Sequence, residues 1–265
     1  MMIDDIKSRK NLSAAEALVY GYTIFKANIV QIMYIVLIIY FPLNLISGYI
    51  SLLLSSLEAG INLEEVLSSY DAMLRFAASS QYMAIARNSL IKLVLDLFLA
   101  PFGIMAVMHI VKSYCEQKET GYMEALKVSF SYGTRFLWIR FIYCILIGIL
   151  NSLAIIPGVI FAVFWYFNIQ ALVLDGKKGR QAFSYSRELV GGRWFKTLLM
   201  LISFKGISYG IGYLLSFFLS WGTNTYFVIV LIGVLLSIVS TVFISAETVV
   251  YLNYQANMMN KSKVK

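Results

Sequence analysis

The sequence predicts an all-α integral membrane protein with about six transmembrane helices. Hydrophobic residues make up 60% of the 265 residues and charged residues only 14%, whereas soluble domains contain about 45–50% apolar and about 25% charged residues. The apolar residues form long continuous runs without the alternation that is typical of strands. This composition argues against a soluble enzyme and against a disordered chain.

Six apolar runs are long enough to cross a bilayer, since a spanning helix needs about 20 residues. They are residues 28–57, 90–111, 136–156, 158–174, 195–220 and 225–252. Spans three and four are expected to join at Ile156-Pro157-Gly158, because Pro and Gly together break a helix. Spans five and six join through 221–224, which leaves room only for a tight turn.

The basic residues predict how the chain is oriented. Of the 22 Lys and Arg, all but Arg75, Arg87 and Lys92 lie near the starts of odd-numbered spans or after even-numbered ones. Cytoplasmic loops carry the excess of Lys and Arg, so both termini are predicted in the cytoplasm. Because the net charge of +8 lies beside apolar spans, we expect anionic lipids as partners and no nucleic acid.

The chain is predicted to form one multi-pass membrane domain, residues 1–265. Residues 1–27 form a cytoplasmic segment with an interfacial elbow helix. Residues 58–89 form an extracytoplasmic excursion, and residues 253–265 form a cytoplasmic basic tail.

Three similar segments lead into odd-numbered spans, at residues 14–18, 122–126 and 180–183. In each, an acidic or amide residue precedes Ala and a large apolar residue. The third continues as an amphipathic helix that Gly191-Gly192 ends. We therefore expect three repeats of an interfacial elbow helix plus a helical hairpin. The predicted buried face of the third elbow comprises Ala182, Phe183, Ser186, Leu189 and Val190.

The residues around the fourth span and the third elbow form a longer pattern, at 156–159, 165–167, 171–176, 179–183 and 186–194. This pattern resembles the membrane domain fused to some bacterial glycerophosphoryl diester phosphodiesterases, and related stand-alone inner-membrane proteins. The resemblance implies a multi-helix protein of the bacterial cytoplasmic membrane. In the fused proteins, the chemistry belongs to a separate soluble barrel with paired carboxylates, His residues and a metal ion, so that activity is not expected here.

The side chains that carry chemistry are sparse. The chain has one histidine, His109, and two distant cysteines, Cys115 and Cys144, which do not match any metal-ligand spacing. No Ser-His-Asp, Cys-His or paired-carboxylate set can be recognised. We therefore predict a non-enzymatic protein with no catalytic residue, no metal and no cofactor.

Ionisable and amide side chains at membrane depth are costly, and they mark either pathways or structural pairs. Lys92 and Asp96, four residues apart on one helix face, form either a local ion pair or a contact to a substrate or proton. Glu247 either pairs with Lys205 or Arg140 and pins helices together, or the three residues snorkel separately. The buried amides either bond between helices or line a cavity. These intramembrane candidates are Lys92, Asp96, Arg140, Asn151, Asn168, Lys205 and Glu247.

Two further features bear on a binding site. Pro42 and Pro101 are expected to kink or break their helices, which either shapes a cavity or relieves packing. The basic loop and elbow after the fourth span suit lipid headgroups. The candidate headgroup residues are Lys177, Lys178, Arg180, Arg187 and Arg193.

Two main functions fit these observations. The first is a non-enzymatic membrane module that associates with lipid, or serves as a membrane partner or transport-assisting subunit. The alternative is a transporter or permease for a small molecule, an amphiphile or a peptide, with a polar cavity at mid-membrane. Since no nucleotide-binding motif is present, its energy would come from a gradient or from a separate ATPase. The sequence leaves the ligand and the oligomeric state open.

Overall fold

The structure is a computed structural model that describes residues 6, 9, 12–153, 155–219 and 226–263. For residues 153 and 261–263 it describes the backbone alone. Every regular element within these ranges is a helix. In chain order the helices are α1 (Ala14–Ala27), α2 (Ile29–Glu58), α3 (Leu63–Leu67), α4 (Tyr70–Ala77), α5 (Ser80–Cys115), α6 (Tyr122–Ser131), α7 (Gly133–Leu153), α8 (Ile155–Phe164), α9 (Asn168–Asp175), α10 (Arg180–Val190), α11 (Trp194–Leu219) and α12 (Tyr226–Lys263).

Six helical stretches among the described residues are long and apolar enough to cross a membrane, which confirms the predicted multi-pass membrane class. They are α2, α5, α7, α8 together with α9, α11 and α12. The second begins at Ser80, ten residues earlier than predicted, so the excursion is reduced to the short helices α3 and α4 and their turns. We call the end of the bundle that carries α1, α6 and α10 the basic side, and the end that carries α3 and α4 the loop side.

The break between the third and fourth spans differs from the prediction. Helix α7 ends at Leu153 and α8 begins at Ile155, so Pro157 lies in the first turn of α8 and does not form the link. A proline is tolerated there because its missing N–H has no helical partner in the first turn. The turn predicted at residues 221–224 lies outside the described residues.

Helix α12 is the central helix of the bundle. It runs without interruption for 38 residues, so the segment predicted as a basic tail continues the helix as far as Lys263. It packs against α1, α2, α5, α10 and α11. Helix α1 packs on α12 with their backbones close together, because a Cβ added to Gly21 would lie 2.5 Å from the backbone nitrogen of Ala246.

Three helices lie where elbows were predicted, since α1, α6 and α10 each directly precede a span. Helix α1 begins with a capping box in which the Ser13 hydroxyl accepts from the Glu16 N–H and the Glu16 carboxylate accepts from the Ser13 N–H. The Glu16 carboxylate accepts hydrogen bonds from the Ser13 N–H and from the Ser13 hydroxyl, and these two bonds lower the pKa of Glu16.

The structure confirms the predicted face of α10. All five residues predicted to face inward are buried, whereas Gln181, Ser184, Arg187 and Glu188 are exposed. The helix ends at Val190 with Gly191 as its C-cap, and the φ of +77° at Gly192 lets the chain turn into α11. On the buried face, the Ser186 hydroxyl accepts from the Phe167 N–H and donates to the Phe164 carbonyl, so it satisfies backbone groups at the break between α8 and α9.

Candidate functional site

A cavity of about 390 Å³ lies inside the helix bundle, and we call it the charged cavity. Its walls come from α2, α5, α7, α9, α11 and α12 and from the turn before α9. Three ionisable side chains line it: Arg140 from α7, Lys205 from α11 and Glu247 from α12. The other polar side chains in its wall are Tyr40, Tyr143, Tyr166, Asn168, Gln170, Ser208 and Ser240.

The three charged residues reach the cavity from three different helices. At about 1.5 Å per residue, Arg140 lies about 10 Å from the start of α7, and Lys205 lies about 16 Å from the start of α11. Glu247 directly follows Ala246, so the close packing of α1 on α12 fixes its position. The charged cavity therefore lies within the membrane-spanning part of the bundle, on its basic side.

The predicted pairing of Glu247 is replaced by a looser arrangement. The Lys205 charge acts on the Glu247 carboxyl group, and the Tyr166 side chain lies beside it. Among the described side chains, however, neither Lys205 nor Arg140 comes within the 4.0 Å of Glu247 that an ion pair requires. Arg140 instead lies over the Tyr143 ring, 5.7 Å from its centroid. The three charges thus share one cavity without neutralising each other in direct contact.

Three polar atoms in the cavity wall are buried and have no hydrogen-bond partner among the described residues: the Tyr40 hydroxyl, the Arg140 Nε and the Gln170 Oε1. Tyr40 is 6% exposed and Gln170 is 2% exposed, so membrane lipid or bulk water cannot satisfy them directly. Because buried polar groups in folded proteins nearly always have partners, this concentration in one cavity indicates a site for a polar guest.

A second cavity of about 350 Å³ lies towards the loop side, and we call it the outer cavity. Lys92 and Asp96 both line it, as does Asn44. The Lys92 Nζ donates to the Ser51 hydroxyl at 2.6 Å, and the Asn44 Nδ2 donates to the Ser237 hydroxyl at 2.9 Å. The predicted local ion pair is not formed, because among the described side chains Lys92 and Asp96 do not come within 4.0 Å of each other. The Ser47 hydroxyl is buried without a partner.

The two cavities meet at Tyr40 and Ala100, which line both of them. Each of these residues adjoins a π-helical turn: Val36–Tyr40 precedes Phe41-Pro42, and Leu95–Leu99 precedes Ala100-Pro101. The backbone N–H groups of Phe41 and Ala100 bond five residues back, to Val36 and Leu95.

The two prolines account for these π-turns. A proline has no N–H to donate, and its ring pushes against the preceding turn, so the helix widens locally and continues. Pro42 and Pro101 thus shape the wall between the cavities without breaking α2 or α5. Gly103 completes this wall, because a Cβ at that position would lie 2.6 Å from the Tyr40 ring.

The structure brings together four of the seven intramembrane candidates at the charged cavity and two at the outer cavity. Asn151, which we expected among the cavity residues, lines neither of them. Its side chain lies against Gly158, where it fills the space that a Cβ would occupy. The reason is the earlier break after α7, which places Asn151 beside the first turns of α8.

The five headgroup candidates lie on the basic side, away from both cavities. Lys177 lies over the Tyr185 ring, Arg187 over the Phe164 ring and Arg193 over the Tyr254 ring, at 5.2, 5.8 and 4.8 Å from the respective centroids. Lys178 and Arg180 are exposed. Three of the candidates are therefore engaged with aromatic rings, and two are open to a headgroup.

A polar cluster that the sequence did not reveal joins the end of α9 to α10 and α12, and we call it the elbow network. The Asp175 carboxylate accepts from the Tyr251 hydroxyl and, at 2.8 Å, from the Gln255 Nε2. The Gln255 Nε2 also donates to the Tyr185 hydroxyl at 3.3 Å. Burial is the main cause that raises the pKa of Tyr185. Lys112 of α5 donates to the Leu174 carbonyl nearby, so this corner of the bundle is well paired.

Sequence reasoning also missed Tyr40 and Tyr166 as cavity residues. The chain has 18 tyrosines, and only the position of Tyr40 two residues before Pro42 distinguished it. Within the described residues, no group of three or more His, Cys, Asp or Glu could hold a metal ion.

Comparison of the chain with protein-family models, with curated proteins and with solved structures finds no match. The candidate site is therefore defined by the geometry of this chain.

Proposed function

We propose that this protein is a membrane transporter that binds a small amphiphilic molecule in the charged cavity. The observation that carries the proposal is the convergence of Arg140, Lys205 and Glu247 on one cavity whose wall also holds unpaired, buried polar atoms. Ionisable residues within a membrane are costly, and they are typical of substrate and ion pathways. A helix bundle that needed only stability would gain more from apolar packing at these positions.

The outer cavity extends this site towards the other membrane surface. Tyr40 lines both cavities, and the Tyr40 ring against Gly103 forms part of the wall between them. A movement of the Tyr40 ring would widen the junction between the polar region on the basic side and the one on the loop side. Two polar regions that meet at Tyr40 and Ala100 suit a protein that exposes its site to each side in turn.

The remaining features of the proposal come from the sequence. We place the protein in the bacterial cytoplasmic membrane with both termini in the cytoplasm, and we assign no enzymatic activity and no cofactor. The elbows α1, α6 and α10, each followed by spans, support three structural repeats. The resemblance to the membrane domain of glycerophosphoryl diester phosphodiesterases remains part of this proposal. A gradient or a separate ATPase would supply the energy.

A lipid-associated module that does not transport is the second candidate. It is favoured by the exposure of Lys178 and Arg180 beside the membrane interface, where they would meet anionic headgroups. Such a module would bind lipid from one side of the membrane and would not need a cavity that is reached from both.

The two functions can be separated by the accessibility of one engineered cysteine. In a background with Cys115→Ala and Cys144→Ala, Ser240→Cys places a thiol in the charged cavity, and Ser203→Cys places one on the exposed surface of α11. A membrane-impermeant anionic thiol reagent is added to right-side-out and to inside-out vesicles. A transporter predicts modification of Ser240→Cys from both sides and protection of Ser203→Cys by lipid.

Modification of Ser240→Cys from one side alone would contradict transport and support the lipid-associated module. A complete lack of modification in folded protein would contradict a water-accessible charged cavity.

A further inference from the structure

We propose that the charged cavity recognises an oxyanion, a phosphate or carboxylate group, on an amphiphile whose apolar part leaves the cavity between α7 and α11. This inference rests on the proposed function, because it names the ligand class of the same cavity. It is carried by the charge balance of the wall, by the unpaired atoms and by the arrangement of the helices.

The charges in the wall favour an anion. Arg140 and Lys205 are cationic, and Glu247 is the one acidic residue among the described residues of the wall. One positive charge is therefore left over in a region where water is scarce and charges interact strongly. A cationic ligand would add a third positive charge beside a single carboxylate, whereas an oxyanion brings the cavity to neutrality.

The unpaired atoms match the surroundings of an oxyanion. The Arg140 Nε and the Tyr40 hydroxyl are donors, and both are buried without a partner. A guanidinium group fits phosphate and carboxylate oxygens better than other groups do, because its N–H groups form a planar fork. The Gln170 Oε1 is an acceptor and also lacks a partner, so a ligand with a hydroxyl next to the oxyanion would satisfy the whole set.

The rest of the wall accepts an apolar chain. Ile104, Met108, Ile169, Phe243 and Ile244 line the same cavity. Helices α7 and α11 both contribute to the wall, but in the described part of the chain they make no extensive contact with each other. Lys205 on α11 lines the cavity and is exposed. A tail could therefore extend between these helices into the surrounding lipid.

The same oxyanion chemistry occurs on a lipid headgroup and on a free solute, so the test has two arms. Purified full-length protein is kept in a nonionic maltoside detergent, which carries no oxyanion, and binding is measured either with added phosphatidylglycerol or with dissolved inorganic phosphate. Binding of phosphatidylglycerol alone identifies a lipid ligand, and binding of both identifies a site for the oxyanion itself. Binding of neither overturns the inference.

Four variants test the assignment to residues. We expect Arg140→Gln and Lys205→Gln each to weaken binding about tenfold or more, since each removes a charged hydrogen-bonding partner. Glu247→Gln is expected to strengthen binding several-fold, because it removes the only negative charge among the described wall residues. Lys127→Gln removes an exposed positive charge of α6 outside the cavity and should leave binding unchanged.

The Glu247→Gln result distinguishes recognition from structural damage. A variant that simply disturbs the bundle would weaken binding, so a loss in Glu247→Gln comparable to that in Arg140→Gln overturns the inference. An equal loss in Lys127→Gln also overturns it, because the attraction would then come from surface charge. Thermal unfolding of each variant shows that the protein compared is folded.

The outcomes for ligand class and for transport are independent. If Ser240→Cys is modified from both sides while neither probe binds, transport stands and the oxyanion assignment falls. If phosphatidylglycerol binds through Arg140 while modification occurs from one side only, the oxyanion site stands and transport falls.

Discussion

The elbow network and the charged cavity both take polar side chains from α9 and α12, and they differ in how those side chains are paired. In the elbow network, Asp175 of α9 accepts hydrogen bonds from Tyr251 and Gln255 of α12. In the charged cavity, Gln170 of α9 has an unpaired buried oxygen, and Glu247 of α12 has no ion-pair partner within 4.0 Å among the described side chains.

The difference shows that the unpaired groups are not a consequence of poor packing by these helices. Tyr251 is four residues after Glu247 on α12, and Asp175 is five residues after Gln170 on α9. The same two helices therefore pair their polar groups in the elbow network, whereas one turn deeper, in the charged cavity, the Gln170 oxygen lacks a hydrogen-bond partner and Glu247 lacks an ion-pair partner among the described side chains. Each unsatisfied buried polar group lowers the stability of the folded protein by about 1–3 kcal/mol. The proposed ligand binding at the charged cavity would explain why such groups are present there.

The largest expected effect is a loss of stability when the packing of α1 against α12 is disturbed, because this contact supports both regions. Gly21→Ala places a methyl group 2.5 Å from the backbone of Ala246, and backbone cannot move aside as a flexible side chain can. We expect a loss in the free energy of unfolding at the upper end of the about 1–3 kcal/mol range for overpacking, or more. Unfolding in mixed detergent micelles with increasing sodium dodecyl sulfate measures it.

Gly210→Ala on α11 is the matched control for Gly21→Ala. A Cβ at Gly210 meets nothing within 4 Å, so stability should stay constant or rise slightly because Ala favours helix. Equal losses in the two variants would mean that the contact of α1 with α12 does not limit stability.

The spans and the third elbow could be predicted from the sequence because each depends on local chemistry. Continuous apolar runs report membrane helices whatever their neighbours are, and the pattern of small, apolar and polar residues in α10 matches one helical face. The location of the break after α7 was wrong because Pro157 fits both a helix break and a first turn, and only tertiary packing selects between them.

The composition of the candidate site was only partly predictable. Arg140, Lys205 and Glu247 stood out because ionisable residues are rare at membrane depth. Their convergence depends on how each helix is rotated about its axis, which the uniformly apolar surfaces of α7, α11 and α12 do not report. Tyr40 and Gln170 were missed as unpaired groups, because pairing is a property of neighbours distant in the chain.

A second test removes hydrogen bonds from the elbow network. Asp175→Ala removes the acceptor of both Tyr251 and Gln255 and leaves the fully buried Tyr251 hydroxyl without a partner. We expect a loss of about 2 kcal/mol in the free energy of unfolding, since hydrogen bonds to charged groups contribute about 1.5–3 kcal/mol.

The double variant with Tyr251→Phe isolates this interaction. Once the hydroxyl is absent, Asp175→Ala should cost at least about 0.5 kcal/mol less than it does alone. Strictly additive losses would show that Asp175 and Tyr251 are not energetically coupled. The elbow network could then no longer serve as the paired region with which the charged cavity is compared.

The smallest expected effect is the most informative about the charged cavity. Tyr40→Phe removes a hydroxyl that is buried without a partner, so nothing favourable is lost and the cost of burying it disappears. We expect the free energy of unfolding to stay within about 0.5 kcal/mol of the original or to rise, whereas Tyr251→Phe lowers it by about 1 kcal/mol. Both variants make the same chemical change in buried tyrosines, and the same detergent titration measures them. An equal loss of stability in the two variants would mean that the Tyr40 hydroxyl is paired in the membrane. The difference in pairing between the elbow network and the charged cavity would then not hold at Tyr40.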